Sequence, residues 1–572
     1  MDDQNKNLIL ATVLSLVVIL GWFLIFPPEE QAPSPDLDEI STAAEGPSPA
    51  SGDTALPGTA AAQAAPQEQE APRIAVETPS LTGSLSLRGG RIDDLSLVGY
   101  RETLDPESPL VRLLSPVGTE TPYYAVWGWA PVGGTTISLP GPDTLWTLES
   151  GETLTPGSPV TLAWDNGEGL VFRRTVSVDD KFMFDVEQTV ENTGDTAVSL
   201  APYGFVARHG QPDTQNFFIL HEGVIAMADG ELTETGYNDL PDMPVLPSEG
   251  ARAEVFQVGT DGWIGFTDHY WMSTLIPASG TPFKAVAKYD ESRDILQTEA
   301  VLPTLTLAAG QTQQVSTQLF AGAKEWDTIR DYQNDEGIYR FLDSIDWGMF
   351  FFLTKPIFAV LHWLHSFIGN MGWSIIALTF VIKMVLFPLA YRSYVSMAKM
   401  KELQPEMEKL REQAGDDRMK MQQGMMELYK KNKVNPASGC LPILLQIPIW
   451  FSLYKVIFVT LELRHAPWIG WIRDLSAPDP SSLLNLFGIL PFAPPAQGTL
   501  LHSLSLPALA IILGISMWMQ QRLNPTPADP SQKMIFALMP WVFMFMLGGF
   551  ASGLVLYWIT NNTITIIQQY TI

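Results

Sequence analysis

A lysine inside a long apolar segment is the residue of this chain whose chemistry is easiest to interpret. Lys383 lies about thirteen residues into the segment at about residues 371–391, roughly 18 Å from its outer end at the rise of an α-helix. An unpaired lysine near the middle of a bilayer costs about 2.5–3.5 kcal/mol. Its side chain therefore either extends to the inner membrane interface or faces a water-filled cavity. The residues that accompany Lys383 favour the cavity.

Hydroxyl, amide and aromatic side chains accompany Lys383. They are predicted to line a polar groove and to contact a substrate, and they are Thr379, Gln446, Ser516, Gln520, Tyr557, Trp558, Asn561, Asn562, Thr565 and Gln569. Four of those on the last segment follow the helical period and form one stripe. Each is also compatible with ordinary hydrogen bonding between helices. Intramembrane carboxylates, which proton and cation pathways use, are absent from the clear spans, so the pattern favours a groove with one positive charge over a coupled transporter.

The sequence contains no familiar catalytic motif. The phosphate-binding G-x-x-x-x-G-K-[ST], the hydrolase G-x-S-x-G and the zinc-binding H-E-x-x-H are all absent. His362 and His365 are predicted to be polar anchors of an interfacial helix. A single cysteine, Cys440, excludes a disulfide framework or a multi-thiolate metal site. We therefore predict no enzymatic activity, no cofactor and no metal, although the carboxylates of the β-rich region neither support nor exclude a glycosidase-type pair.

Charge and hydropathy exclude further classes of protein. The 572 residues include 62 acidic and 34 basic side chains, a net charge of −28. This balance disfavours a specific nucleic-acid binder, which needs a basic surface. The long apolar runs are concentrated towards the two ends of the chain, which excludes a single soluble globule.

The N-terminal half divides into an anchor, a tether and a β domain. Residues 1–26 contain twenty uncharged residues, enough to span a bilayer core of roughly 30 Å, and no small-residue cleavage site, so they predict an uncleaved transmembrane anchor. Residues 27–72 are rich in Pro, Ala and Glu and predict a disordered tether. Residues 73–335 show period-two alternation with regular turns, which predicts an antiparallel β-sandwich domain with a C-terminal helix.

The C-terminal half predicts an interfacial amphipathic helix at residues 336–369 and a helical membrane core at residues 370–572. The predicted spans are at about residues 371–391, 441–461, 506–521, 534–549 and 553–572, which with the anchor makes six transmembrane helices. The loop after the first of these contains ten Lys or Arg residues and is placed in the cytoplasm by the positive-inside rule. Both termini are then cytoplasmic and the β domain is outside. No Lys or Arg follows Lys533, so we expect a basic cytoplasmic tail beyond the present end.

The basic loop predicts a cytoplasmic helical hairpin at residues 396–435. Its methionines, Met400, Met407, Met421 and Met425 among them, lie on one face of each arm. Such a face is most often the seam between the two helices, but flexible thioethers also suit apolar partners of varied sequence. We favour a seam that occasionally contacts such partners.

Several segments resemble one known family. They are HSFIGNMGWSIIALTF, PLAYRSYVSMAKMKELQP, KVNPASGCLPILLQIPIWFSLY, ELRHAPWIGWIRDLSAPDP and SGLVLYWITNNTITIIQQ. Together they resemble the YidC/Oxa/Alb family of bacterial membrane insertases, in its Gram-negative form. This form has a large periplasmic domain, and the resemblance implies that the β domain is an all-β supersandwich. The match extends over about residues 347–572 and includes several motifs in register.

The resemblance implies an insertase and membrane chaperone of the bacterial inner membrane that moves nascent transmembrane segments from a cytoplasm-facing groove into lipid without nucleotide hydrolysis. Implied partners are nascent membrane proteins, the Sec translocon, the lipid bilayer and, weakly, the ribosome. Lys383 stands where the family usually has an arginine, so the charge is kept but the guanidinium fork is lost. Thr379 and Trp558 match positions of substrate contact, and a tyrosine is common at the latter.

Two functions of other classes remain open on the sequence. A small-solute channel or transporter would also need a polar path between helices. A membrane-anchored periplasmic carbohydrate-binding protein would place its function in the β domain. The insertase is distinguished from both by predicting that most of the β domain is dispensable.

Overall fold

The structure is a computed structural model that describes residues 71–133, 137–214, 220–415, 417–432, 441–488, 490, 505–524 and 530–572. The predicted anchor at residues 1–26 lies outside the described residues, as do all but the last two residues of the predicted tether at residues 27–72. The described residues form the β domain and the helices after it.

Two antiparallel sheets form the β domain. The strands of the eleven-stranded sheet, in spatial order, are β1 (Arg73–Glu77), β2 (Leu81–Ser86), β3 (Arg91–Arg101), β5 (Tyr123–Pro131), β10 (Val198–His209), β18 (Ile295–Val301), β17 (Phe283–Asp290), β14 (Ala251–Val258) and β13 (Val245–Leu246), with β4 (Leu110–Leu114) on β3 and β19 (Leu305–Leu307) on β10. Those of the nine-stranded sheet are β12 (Glu231–Gly236), β11 (Gly223–Ala228), β15 (Gly262–Thr267), β16 (Trp271–Pro277), β20 (Thr312–Ala323), β9 (Met183–Asn192), β8 (Leu170–Val178), β7 (Val160–Asp165) and β6 (Thr147–Ser150).

Alternating burial explains why these segments form strands. In β8 every second residue from Leu170 to Val178 is buried, because successive side chains of a strand point to opposite faces of the sheet. The two sheets pack face to face, with β10 against β16 and β15 against β18. Their inner faces form the core, which includes Phe172, Val206 and Leu275. The predicted fold class, an all-β domain followed by apolar helices, is confirmed.

Nine helices follow the strands in the described part of the chain. They are α1 (Trp326–Asn334), α2 (Phe351–Ile368), α3 (Met371–Glu402), α4 (Gln404–Ala414), α5 (Arg418–Lys431), α6 (Leu441–Val459), α7 (Ala508–Leu523), α8 (Pro530–Leu547) and α9 (Ser552–Thr571). Helix α9 packs against α3 and α7, and α2 packs against α3 and α6. Through these contacts and those between α9 and α6, the helices α3, α6, α7 and α9 form one bundle.

The helical hairpin formed by α4 and α5 begins later than predicted. Helix α3 continues without a break to Glu402, so the first arm begins at Gln404 and not at residue 396. Pro388 lies inside α3 and does not end it, whereas Pro405 is the second residue of α4. A proline is tolerated in the first turn of a helix because the N–H that it lacks has no partner there, which agrees with a new helix starting at this point.

Two described helices are long and apolar enough to cross a bilayer, Phe351–Ile368 and Met371–Glu402, and Gln446–Val459 and Lys533–Leu547 are shorter apolar stretches. Helix α2 meets this criterion although we predict that it lies on the outer surface. Its buried residues Thr354, Phe358, Leu361 and Leu364 follow one face. Lys355 Nζ donates to Asp343 Oδ1 (2.5 Å), so the charge on α2 is paired with the segment that follows the β domain. The surface position of α2 stays a prediction.

The β domain is in direct contact with the end of α6. His269 Nε2 donates to the carbonyl oxygen of Phe458 (2.7 Å), and the two rings stack with centroids 4.9 Å apart. Beyond α6, Arg464 Nη2 donates to the carbonyl oxygen of Arg101 (2.7 Å), and its guanidinium lies 5.4 Å from the ring of Trp271. These contacts attach the membrane helices to one end of the β domain.

Acidification is expected to weaken the folded protein through His269. Burial lowers the pKa of this imidazole from 6.5 to about 4, so between these values the unfolded chain binds a proton that the folded protein does not. The stabilisation is complete above pH 6.5 and is lost as the pH falls, by no more than about 2 kcal/mol at pH 5. This loss of stability is measured by thermal unfolding of the purified protein between pH 7 and pH 5. His269→Gln, which keeps an N–H donor, should flatten the dependence, and an unchanged slope would contradict the assignment.

Candidate functional site

Lys383 of α3 binds the last helix. Its Nζ donates to Oγ1 of Thr565 on α9 (2.9 Å), and Thr565 in turn donates to the carbonyl oxygen of Asn561 (2.7 Å). Lys383 is half-buried and Thr565 is buried. No ion pair joins Lys383 to an acidic side chain within the described ranges. A neutral hydroxyl orients the ammonium group but leaves its positive charge uncompensated.

The other polar residues of α9 point in several directions. Asn562 Nδ2 donates to Ser516 Oγ of α7 (3.0 Å), and both side chains are buried, so these two predicted groove residues bind each other. Gln569 Nε2 donates to Asn524 Oδ1 (3.2 Å). Gln520 is half-buried one turn after Ser516 on α7.

Amide oxygens of α9 supply unfilled hydrogen-bond acceptors near Lys383. The Oδ1 atom of Asn561 and the Oε1 atoms of Gln568 and Gln569 are buried and have no hydrogen-bond partner within the described part of the chain. Buried acceptors of this kind nearly always have a donor, which is often ordered water. Asn561 lies one turn before Thr565 and Gln569 one turn after it, so the acceptors extend along the same part of α9 as Lys383. This arrangement suits water or a polar chain segment.

Thr379 occupies a different environment from its neighbour Lys383. Its side chain is 1% exposed, and its Oγ1 donates to the carbonyl oxygen of Ile375 (2.7 Å), one turn earlier in the same helix. Threonine hydroxyls in helices often donate to the carbonyl oxygen four residues earlier in the same helix. A substrate would reach the methyl group of Thr379 only after neighbouring side chains move.

Helix α6 forms the opposite side of the site. Gln446 Nε2 donates to Oη of Tyr557 (2.5 Å), which is 1% exposed on α9. One turn after Gln446 on α6, the ring of Trp450 stacks on that of Trp558, the residue next to Tyr557 on α9, with centroids 5.9 Å apart. Phe550, just before α9, meets Trp558 edge to face at 6.0 Å. Trp558 is half-buried, so part of its ring is open to an apolar partner.

Two residues of α6 were missed by the sequence analysis. Trp450 follows Gln446 by four residues, the same spacing that separates Trp558 from Asn562 on α9. The helical period of the sequence could therefore have identified Trp450. Lys455 is a second lysine inside a predicted span, at about residues 441–461, and any charge in an apolar segment is a functional candidate. Lys455 forms an ion pair with Asp346. Lys383 is thus not the sole lysine of the spans.

The helical hairpin formed by α4 and α5 has a small apolar seam. Leu403 and Leu428 are buried against each other, with Met400, Met407 and Leu410 packed around them. Met421 and Met425 are half-buried on α5. Met419 and Met426 are 73% and 65% exposed, so this helix presents thioethers to its surroundings as well as to the seam.

Metal ligands are not clustered in the described ranges, where no group of three His, Cys, Asp or Glu side chains could hold an ion. His362 Nε2 lies 3.1 Å from Oδ2 of Asp327, and its ring lies 4.9 Å from that of Trp326. His365 is half-buried on the same helix. The site between α3, α6, α7 and α9 therefore offers the ammonium group of Lys383, neutral polar groups and an aromatic surface.

Comparisons with protein families and with individual proteins point to the same family along the length of the chain. Residues 73–360 match the family described as the YidC periplasmic domain, and residues 363–572 match the family described as the 60Kd inner membrane protein. The chain is 62% identical to the membrane protein insertase YidC of Paracoccus denitrificans and 61% identical to that of Ruegeria pomeroyi. Both alignments cover 100% of this chain, and 95% and 96% of the relatives. A solved structure of an active YidC insertase covers 88% of this chain at 18% identity and a TM-score of 0.36, too low to support an argument.

Proposed function

The chain belongs to the YidC family of membrane protein insertases, and on that premise we propose that Lys383 and the aromatic surface of Trp558 form its insertion site. The protein is an insertase of the bacterial inner membrane with a periplasmic domain, and its substrates are nascent membrane proteins. The proposal concerns the route that a substrate takes through it.

The observation that carries the proposal is that no acidic side chain in the described part of the chain forms an ion pair with Lys383. Its ammonium group binds the hydroxyl of Thr565, and unfilled amide acceptors lie one turn away on each side. A polar segment of a substrate that must cross the membrane finds hydrogen-bond partners here, and an acidic segment is attracted. At about 8 Å and an effective dielectric constant near 20, the attraction between two unit charges is about 2 kcal/mol.

The apolar part of the substrate follows the aromatic surface. Trp558 lies about two turns of α9 from Thr565, towards the N-terminus of the helix, so one substrate can place its polar segment at Lys383 and its apolar segment against Trp558. Transfer of about twenty apolar residues into lipid supplies the driving force, at about 25 cal/mol for each Å² removed from water. The reaction then needs neither nucleotide hydrolysis nor covalent chemistry.

The orientation and the partners complete the proposal. The basic loop places α4 and α5 in the cytoplasm, with the N- and C-termini on the same side, by the positive-inside rule. The exposed thioethers of Met419 and Met426 would then meet emerging substrates. We expect the Sec translocon as a further partner and the ribosome as a weaker one.

Site-specific crosslinking tests the proposal. A photoreactive aromatic residue at Trp558 is expected to crosslink a ribosome-stalled membrane protein, because the ring is half-buried and accessible from the groove. The same residue at Trp363, which is 63% exposed on α2, is the control and should not react with that nascent chain. Crosslinks at Trp363 without crosslinks at Trp558 would reject the proposed route.

A further inference from the structure

One carboxylate joins three separate segments where the β domain meets the helices. Asp346 follows the β domain and precedes α2. Its Oδ2 accepts the backbone N–H of His221 (2.9 Å) and the ammonium of Lys455, and its Oδ1 accepts the backbone N–H of Gly348 (3.1 Å). The side chains of Lys455 and Asp346 are 10% and 13% exposed. The β domain, the segment before α2 and the membrane helix α6 therefore meet at one ion pair.

The backbone at Gly348 leaves room for the side chain of Lys455. Gly348 has φ +68°, in the left-handed region that favours glycine, and a Cβ atom added there would lie 3.2 Å from Cε of Lys455. Any other residue would be strained and would press on the lysine stem. Buried ion pairs add little stability compared with an apolar contact of equal size, and their best attested role is to fix one arrangement.

Helix α6 needs such a constraint. Pro448 lies inside it, and an interior proline removes a backbone hydrogen bond and allows the helix to bend. Gln446 and Trp450, on either side of this proline, contact Tyr557 and Trp558 of the site. Lys455 and the carbonyl group of Phe458 hold the other end of the helix to the β domain. The placement of the groove wall thus depends on how that end is held.

We infer that Asp346 and Lys455 are a positioning pair, which fixes the outer end of α6 on the β domain and thereby sets the position of Trp450 and Gln446 in the groove. The inference rests on the proposed insertion route. It gives the junction with the β domain a part in insertion through geometry, without contact between the pair and the substrate.

The test compares variants of the full-length protein in membranes by crosslinking from a photoreactive residue at Trp558 to a stalled nascent chain, normalised to the amount of insertase. Asp346→Asn and Lys455→Met are each expected to lower the yield at least about threefold, since small displacements of a positioned group have large effects. Lys455→Arg keeps the charge and should retain the yield. Asp94→Asn, which removes a carboxylate from the exposed pair with Arg112, is the matched control and should also retain it.

The double variant Asp346→Asn/Lys455→Met separates position from stability. It removes both charges of the pair together, whereas each single variant leaves one member of the pair without the other. The double variant should therefore be more thermally stable than the single variants, while its crosslinking yield stays low. A wild-type yield from the double variant would overturn the inference, as would its failure to accumulate, because a pair that acts through position must be dispensable for folding. Absence of crosslinks in the unmodified protein would instead overturn the proposed insertion route.

Discussion

Lys383→Glu is expected to reduce insertion of substrates with acidic translocated segments by at least about tenfold, equivalent to 1.4 kcal/mol. The change converts an attraction of about 2 kcal/mol into a repulsion of similar size. Folding should tolerate the glutamate, because the hydroxyl of Thr565 can rotate from the carbonyl oxygen of Asn561 and donate its proton to the carboxylate instead. Insertion is measured by protease protection of the substrate in cells depleted of the native insertase.

Matched variants make this result specific to the site. Lys399→Glu introduces the same change of charge on the same helix at an exposed position, and it should leave insertion unchanged. Lys383→Arg should also support insertion, whereas Lys383→Met should give an intermediate result for acidic substrates. Substrates with uncharged translocated segments should depend little on residue 383. Equal insertion of acidic substrates by the Lys383→Glu variant and the unmodified protein would remove this lysine from the mechanism.

Trp558→Ala is expected to have the second largest effect. The substitution removes the ring that stacks on Trp450 and meets Phe550. Truncation of a fully buried tryptophan costs about 3–5 kcal/mol, so a half-buried one should cost about half as much, in addition to the loss of the surface that receives an apolar segment. We expect severalfold slower insertion of substrates of low hydrophobicity, and a smaller effect on very apolar ones.

An aromatic replacement is the control for Trp558. Trp558→Tyr keeps a ring that can stack on Trp450 and should support insertion, whereas Trp558→Leu keeps apolar area without stacking and should be intermediate. Insertion is followed together with thermal stability, so that loss of protein is not mistaken for loss of activity. If the alanine variant inserted weakly apolar substrates at the normal rate, Trp558 would be a packing residue alone.

The sequence patterns predicted the strands and helices more accurately than the contacts between them. The alternation in β8 is visible in the letters LVFRRTVSV and appears as alternating burial. The predicted span ended at about residue 391 and the predicted hairpin began at residue 396, yet α3 continues to Glu402. The period of apolar residues and the composition of a segment indicate which face of a helix or strand is apolar. They say little about where a helix ends when the residues on both sides of the boundary favour a helix.

The contacts of the site depend on how helices pack, and no local pattern contains that information. Lys383 was identified by its cost in a membrane, but its partner Thr565 is known only once α3 and α9 are placed side by side. Thr379 lies one turn before Lys383 on the same face of α3, although its hydroxyl donates to the carbonyl oxygen of Ile375. Lys455 could have been noticed in the sequence, but its pairing with Asp346 joins residues from two different parts of the fold.

No acidic side chain of the described residues pairs with Lys383, and this has a consequence for the topology of the proteins that this insertase handles. A fixed cation repels lysine- and arginine-rich loops as strongly as it attracts acidic ones, so basic loops meet an electrostatic barrier on the way out. Membrane proteins retain such loops in the cytoplasm. The unbalanced ammonium group would therefore act as a sorting element, which helps each client to keep its basic flanks on the side where it was synthesised.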